Sequence, residues 1–169
     1  MVLLVALGFW PAGKREILDW QMANSEDHRE WEVLVQRLWE RGCCPDKGLQ
    51  VIVRDGSGGW GEALALVYGT TVPEPRCIFH QHQNVSKKAR SERKGLENQE
   101  QRKHLMEQAA AISQADSATK AQARLARWVH QWREQAPQAV ATLERDFAQT
   151  LVFYGIAGLD LTWIRTTSL

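Results

Sequence analysis

Between Leu96 and Tyr154 the chain contains no glycine and a single proline, Pro137. That run is rich in Ala, Gln, Glu, Lys and Arg and poor in β-branched residues. Such a composition folds as helix, because straight side chains lose little rotamer freedom there and nothing interrupts the backbone. Pro137 after Ala136 predicts a break, since proline removes a helical N–H and restricts the residue before it. The spacing of Trp128 and Trp132 puts both on one helix face. The block at 91–149 therefore reads as a helical insertion or side domain.

The chain before this block has a different grammar. Residues 2–9 (VLLVALGF) and 15–20 (REILDW) read as two strands joined through WPAGK as a hairpin. Asn24 to His28 supply capping residues and early acids. Trp31, Leu34, Val35, Leu38 and Trp39 then recur at helical spacing, so an amphipathic helix is expected over about 26–41, ended by Gly42. LQVIVRDG (49–56) reads as a buried strand. GGWGEALALVYG (58–69) reads as a Gly-rich entry to a short helix. PRCIFH (75–80) reads as another short strand that runs into the helix start QHQNVSKKAR. Strands separated by helices point to the α/β class, built on a mixed sheet.

Bulk properties limit the function only weakly. A net charge of +1 over 169 residues says nothing of local patches, and eight Trp favour a folded chain. Three cysteines, Cys43, Cys44 and Cys77, give no disulfide framework, so a reducing cytoplasm is the expected compartment. The apolar start, Met1 to Leu7, is too short to span a bilayer and lacks a charged leader, so no membrane association is expected. Both ends read as cuts through a fold: a strand opens at residue 2, and LTWIRTTSL stops on what resembles a helix entry.

Three features can carry chemistry. Asp55 closes an apolar strand and is followed by Gly56, Ser57, Gly58 and Gly59. A carboxylate at a strand end can hold Mg²⁺ or Mn²⁺, although Asp-Gly is also an ordinary turn. DGSGGWGE has neither the Lys-Ser/Thr of a P-loop nor the spacing of a dinucleotide fingerprint. Cys77 and His80, with His82 close behind, have zinc-ligand spacing. A closed zinc site needs four ligands, however, and adjacent Cys43 and Cys44 complete one poorly. A buried Cys beside a hydrogen-bonded His is the plainer reading. Lys87, Lys88, Arg90, Arg93 and Lys94, continued by Arg102 and Lys103, can neutralise DNA phosphates. They can equally form a solvated helix face, because Glu92, Glu97 and Glu100 are interspersed.

Taken together these motifs resemble the mutator-type transposases of bacterial insertion sequences. VIVRDGSGGWGEAL matches that family's strand-to-helix turn at Asp55, Gly56, Gly59 and Ala63. PRCIFHQHQNV matches its C-x-x-H signature at Arg76, Cys77, His80 and Asn84, with Gln83 where the family has Arg. Upstream, Ser25, Glu26, Trp31, Leu34, Leu38, Arg41 and Gly42 match a further motif. Downstream, Arg165, Thr166 and Thr167 match another, with Ser168 where Asn is usual.

The resemblance implies an RNase H-like α/β fold with a helical insertion before the last catalytic helix. On that reading 1–90 is a partial RNase H-like catalytic core, 91–149 the insertion, and 150–169 a return to the core. It also implies a DDE enzyme in which three carboxylates hold two divalent metals for attack on a phosphodiester. Asp55 takes the role of the second acid and metal ligand, and Cys77 and His80 a supporting role. The implied partner is DNA at insertion-sequence terminal repeats, and a homo-oligomer is compatible with it. The first Asp belongs upstream of Met1 and the final Glu beyond Leu169. Asp19, Glu26 and Glu62 do not match catalytic positions. The expected protein is therefore a transposase fragment, inactive alone, with an unpaired sheet edge and poor solubility. Readings from other classes are a non-catalytic DNA-binding module on the 87–103 face, and a helical protein-interaction domain anchored by Trp128 and Trp132.

Overall fold

The computed structural model describes residues 1–10, 14–56, 58–92, 96 and 98–159. They form a mixed α/β protein, mostly helical, that divides into two compact units, Met1–Pro75 and Arg76–Ala157. Among the described residues the sheet has two antiparallel strands, smaller than the mixed sheet expected.

In the first unit β1 (Val2–Phe9) pairs with β2 (Arg15–Ala23), from Val2 opposite Ala23 to Phe9 opposite Arg15. β2 runs three residues further than the pattern predicts. The register shifts between Ala6 and Leu7, where Leu18 is passed over. This bulge brings Ile17 opposite Leu7, so that Ile17 shares a face with Trp20 and Met22. Leu4 and Ala23 on the other face pack against Leu34 of helix α1 (His28–Glu40).

Helix α1 forms because its apolar residues recur every three or four positions, burying Leu34, Val35 and Leu38. Its cap is Asp27, whose carboxylate accepts the N–H groups of Arg29 and Glu30 at 3.1 and 3.2 Å. Gly42, at φ +92°, turns the chain away after its last turn. Helix α2 (Gly58–Tyr68) packs on α1 through Ala63, Leu64 and Tyr68. The Tyr68 hydroxyl donates to the Cys43 carbonyl at 2.6 Å.

Residues 49–56 do not form the regular strand expected. Ile52 donates to the Pro73 carbonyl at 3.0 Å and Arg54 to the Pro75 carbonyl at 3.1 Å. Two such bonds, each stepping by two residues on both segments, are the start of a parallel ladder. In that pattern the carbonyl of Ile52 needs the N–H of residue 75, and proline has none. Pro75 thus accepts from Arg54 but cannot return a bond to Ile52.

The second unit is four helices: α3 (Ile78–Ser91), α4 (Gln99–Ser113), α5 (Ala118–Trp132) and α6 (Pro137–Leu151), followed by a 3-10 turn, Val152–Gly155. The short strand expected at 75–80 is replaced from Ile78 onward by the first turn of α3. Ile78, Gln81, Val85 and Ala89 recur at helical spacing and are buried, so tertiary burial favours helix over the β-branched local signal. Asn98 and Ser117 cap α4 and α5 through their side chains. Pro137 occupies the first position of α6, as the break predicts.

One core runs through all four helices and includes Leu105, Ala109, Trp128, Trp132, Val140 and Leu143. Trp128 and Trp132 are each 3% exposed. The Trp128 indole N–H donates to the Leu105 carbonyl at 3.1 Å, and that of Trp132 to Gln108 Oε1 at 2.6 Å. Both rings are spent on the core, which removes the anchors of the protein-interaction reading.

Candidate functional site

Asp55 lies in the first unit at the end of the extended segment that hydrogen-bonds to 73–75, and it is half-buried. Gly56 follows at φ +94°, a left-handed conformation that lets the chain turn sharply into α2. Asp55 thus stands just before a helix N-terminus, where the partial positive charge of the helix favours a carboxylate.

Gly59 shows why this turn is glycine-rich. A Cβ on Gly59 would lie 2.5 Å from the Glu26 carbonyl oxygen and 2.7 Å from the His28 nitrogen. The N-terminus of α2 therefore presses directly on the backbone entering α1, and only glycine admits that approach. Gly58 meets nothing within 4 Å. Ser57 lies outside the described residues.

No group of three or more His, Cys, Asp or Glu side chains able to hold a metal ion exists among the described residues. Asp55 by itself does not fit a pair of divalent metals, each of which takes about six oxygen ligands. Two other acids of this unit are engaged elsewhere. Asp19 accepts from Arg37 at 2.9 Å and pairs with Arg41 at 3.6 Å. The Arg37 hydrogen bond holds its carboxyl below the usual range. Glu62 pairs with His28 at 3.5 Å.

In the second unit Cys77 occupies the N-cap position of α3, and His80 is one turn on. Cys77 Sγ and His80 Nδ1 lie 3.3 Å apart. The C-x-x-H spacing is realised as a hydrogen-bonded pair, and neither Cys43 nor Cys44 belongs to this unit. Asn84 is one further turn along the same helix face. His82 faces α4, where Nε2 lies 3.0 Å from Ser113 Oγ, and burial lowers its pKa.

Arg76, 4% exposed, opens the unit. Its Nε lies 3.5 Å from Asp146 Oδ2 in α6, and its N–H donates to the Gln149 carbonyl at 3.4 Å. Asp146, far away in sequence, carries no local signal that could have announced this pairing.

Of the five cations assigned to DNA, Lys87, Lys88 and Arg90 are exposed on the last turns of α3. Arg93 and Lys94 lie outside the described residues, as do Arg165, Thr166, Thr167 and Ser168. Among the described residues Lys87, Lys88 and Arg90 make no ion pair with an acid. Charge is also segregated along the chain. Residues 76–157 hold thirteen Lys and Arg against eight Asp and Glu, whereas 1–75 hold seven against eleven. The near-zero total conceals a basic second unit. No described helix is long and apolar enough to cross a membrane.

The turn between the extended segment and α2 at Asp55 and the Cys77–His80 pair are the places where the sequence carries the motifs that resemble mutator-type transposases. The chain matches the family described as "Transposase, Mutator family" over residues 1–168, and it belongs to that family. It is 30% identical over 166 residues to the transposase for insertion sequence element IS406 of Burkholderia multivorans, covering 98% of this chain and 40% of that protein. The transposase for element IS905 of Lactococcus lactis is 23% identical, over 89% of this chain and 35% of its own length. The transposase for element IST2 of Acidithiobacillus ferrooxidans is 27% identical, over 98% and 52%. The chain thus spans from about a third to about half of these relatives.

Proposed function

We propose that this chain is a segment of a transposase that cleaves and joins DNA at insertion-sequence ends, with Asp55 as one acid of its metal-dependent site. The observation that carries the reading is the family match across residues 1–168, with Asp55 at the turn between an extended segment and α2. An RNase H-like core is the fold this reading requires. The antiparallel hairpin, the following α1, and the parallel-type bonds between 52–54 and 73–75 support it.

Asp55 supplies one carboxylate. Mg²⁺ or Mn²⁺ bound for catalysis needs further acids, which the described residues do not gather. On this reading the chain alone is inactive, and the terminal repeats of an insertion sequence are its DNA partner. The exposed Lys87, Lys88 and Arg90 serve as backbone contacts, with Cys77 and His80 fixing the start of the helix that carries them.

The test is to translate the DNA flanking the reading frame in all frames. An upstream strand bearing Asp and a downstream helix bearing the final Glu are the expected finds. The rejoined chain should then cleave element ends with Mg²⁺ and lose that cleavage on Asp55→Asn. Full cleavage by the Asp55→Asn form, or metal-dependent cleavage by the 169-residue chain alone, overturns the proposal.

A further inference from the structure

Beyond α3, the second unit holds a cleft of about 680 Å³ between α3 and α4. Ser86 and Arg90 line it from α3, and Gln99, Arg102, Lys103 and Met106 from α4. Each set recurs every three or four residues, so each helix offers one continuous face to the cleft. Three cations, Arg90, Arg102 and Lys103, therefore converge on one depression from two separate helices.

The cleft is not a chance gathering of loose side chains. Arg102 Nη1 donates to the Leu96 carbonyl at 3.0 Å, which holds its guanidinium in place, and among the described residues it makes no ion pair with an acid. Arg90 has no acid partner among the described residues. Among the described residues Lys103 has only a 3.8 Å pairing with exposed Glu107, which is worth little in water. The nearest acid in sequence, Glu92, is withdrawn from this face. Its carboxylate accepts the N–H groups of Gln138 and Ala139 at the start of α6. Of the three interspersed acids, Glu92 is thus occupied elsewhere, Glu100 is exposed on the first turn of α4, and Glu97 lies outside the described residues.

We infer that this cleft, through Arg90, Arg102 and Lys103, grips consecutive phosphates of a DNA backbone. The inference rests on the DNA-binding reading above and moves its centre from the α3 surface into the α3–α4 cleft. Guanidinium groups suit phosphate because they present paired donors in a fixed fork. Polar Ser86 and Gln99 can donate to the same oxygens. No base edge is read by such a site, so it positions DNA without specifying sequence.

The experiment measures binding of a labelled duplex to the full chain by fluorescence anisotropy over a series of salt concentrations. Variants are Arg102→Gln, Lys103→Gln and Arg90→Gln, with Arg127→Gln on α5 as the off-cleft control. Each cleft variant should weaken binding about 3- to 10-fold at low salt and reduce the salt slope by about 0.9. Arg127→Gln should leave both unchanged. Arg102→Lys separates charge from folding: it keeps the cation, so binding should fall less than in Arg102→Gln at equal thermal stability. If Lys87→Gln and Lys88→Gln weaken binding while the cleft variants match wild type, DNA binding stands and the cleft assignment falls. If wild type shows no salt-dependent binding to duplex, the DNA reading itself falls. Inorganic phosphate that binds at millimolar concentration without duplex binding would make the cleft a small-anion site and overturn the inference.

Discussion

The carboxylate of Glu92 accepts the backbone N–H of Ala139 at 3.2 Å, capping α6 from the far end of α3. Ala136, at the N-cap position of α6, has no side-chain oxygen to do so, and Pro137 has no N–H to satisfy. Glu92 fills the gap with a second bond to Gln138 at 2.5 Å, and its charge opposes the helix dipole. Glu92→Ala should therefore destabilise the chain by about 1–3 kcal/mol, and Glu92→Gln by less. Urea unfolding measures this. Equal midpoints for wild type and the Ala variant would show that the cap contributes nothing.

Gly59 gives a second prediction, with its control next to it. A methyl group there collides with backbone, which cannot rotate away as a side chain can. Gly59→Ala should cost about 1–3 kcal/mol through displacement of α2 from α1. Gly58→Ala meets open space and should be neutral or slightly stabilising. A thermal melt of both variants decides, and identical shifts would refute the close-approach argument.

These two residues mark the boundary of what the sequence could reveal. The hairpin, α1, α2 and the helical character of the α4–α6 block are legible because period and composition are local signals, but the break between α4 and α5, from Gln114 to Ser117, is not. Asp27, within the capping stretch Asn24 to His28, caps α1. The strand at 49–56 failed for a non-local reason, the missing N–H of Pro75. The strand at 75–80 failed because burial of Ile78, Gln81 and Val85 decides for helix. Asp55, Cys77 and His80 stood out by motif, and Cys77 and His80 do meet. The Arg76–Asp146 pair and the Glu92 cap join segments distant in sequence, and no periodicity encodes them.

The open face of the hairpin predicts association. Val5 and Trp20 face each other across the strands, as do Leu3 and Met22, and the bulge adds Ile17 to the same side. Trp20 and Ile17 are each 59% exposed. A contiguous apolar face of this kind drives self-association. The purified chain should show concentration-dependent scattering, and Trp20→Lys combined with Ile17→Lys should suppress it. Undiminished scattering in the double variant would shift the cause away from this face.

Asp146 makes acid stability testable. Its carboxylate accepts from Arg145 Nε at 2.9 Å and faces Arg76 Nε at 3.5 Å. The hydrogen bond from Arg145, followed by the charges of Arg145 and Arg76, holds its pKa below the ordinary 3.8. A carboxyl whose folded pKa is depressed stabilises the fold fully above its unfolded value. That stability is lost as pH falls through the lower, folded value. Asp146→Asn should therefore lower stability at pH 7 and flatten the loss below about pH 4. Most of the cost arises from Arg76, whose buried charge would then lack its carboxylate, so a loss of about 3 kcal/mol is expected. Arg145→Gln, which removes an exposed cation, should cost far less. Chemical denaturation at pH 7 and pH 3 separates the outcomes. An Asp146→Asn protein with the wild-type stability and the wild-type acid slope would show that the Arg76 pairing does not hold the start of α3 to α6.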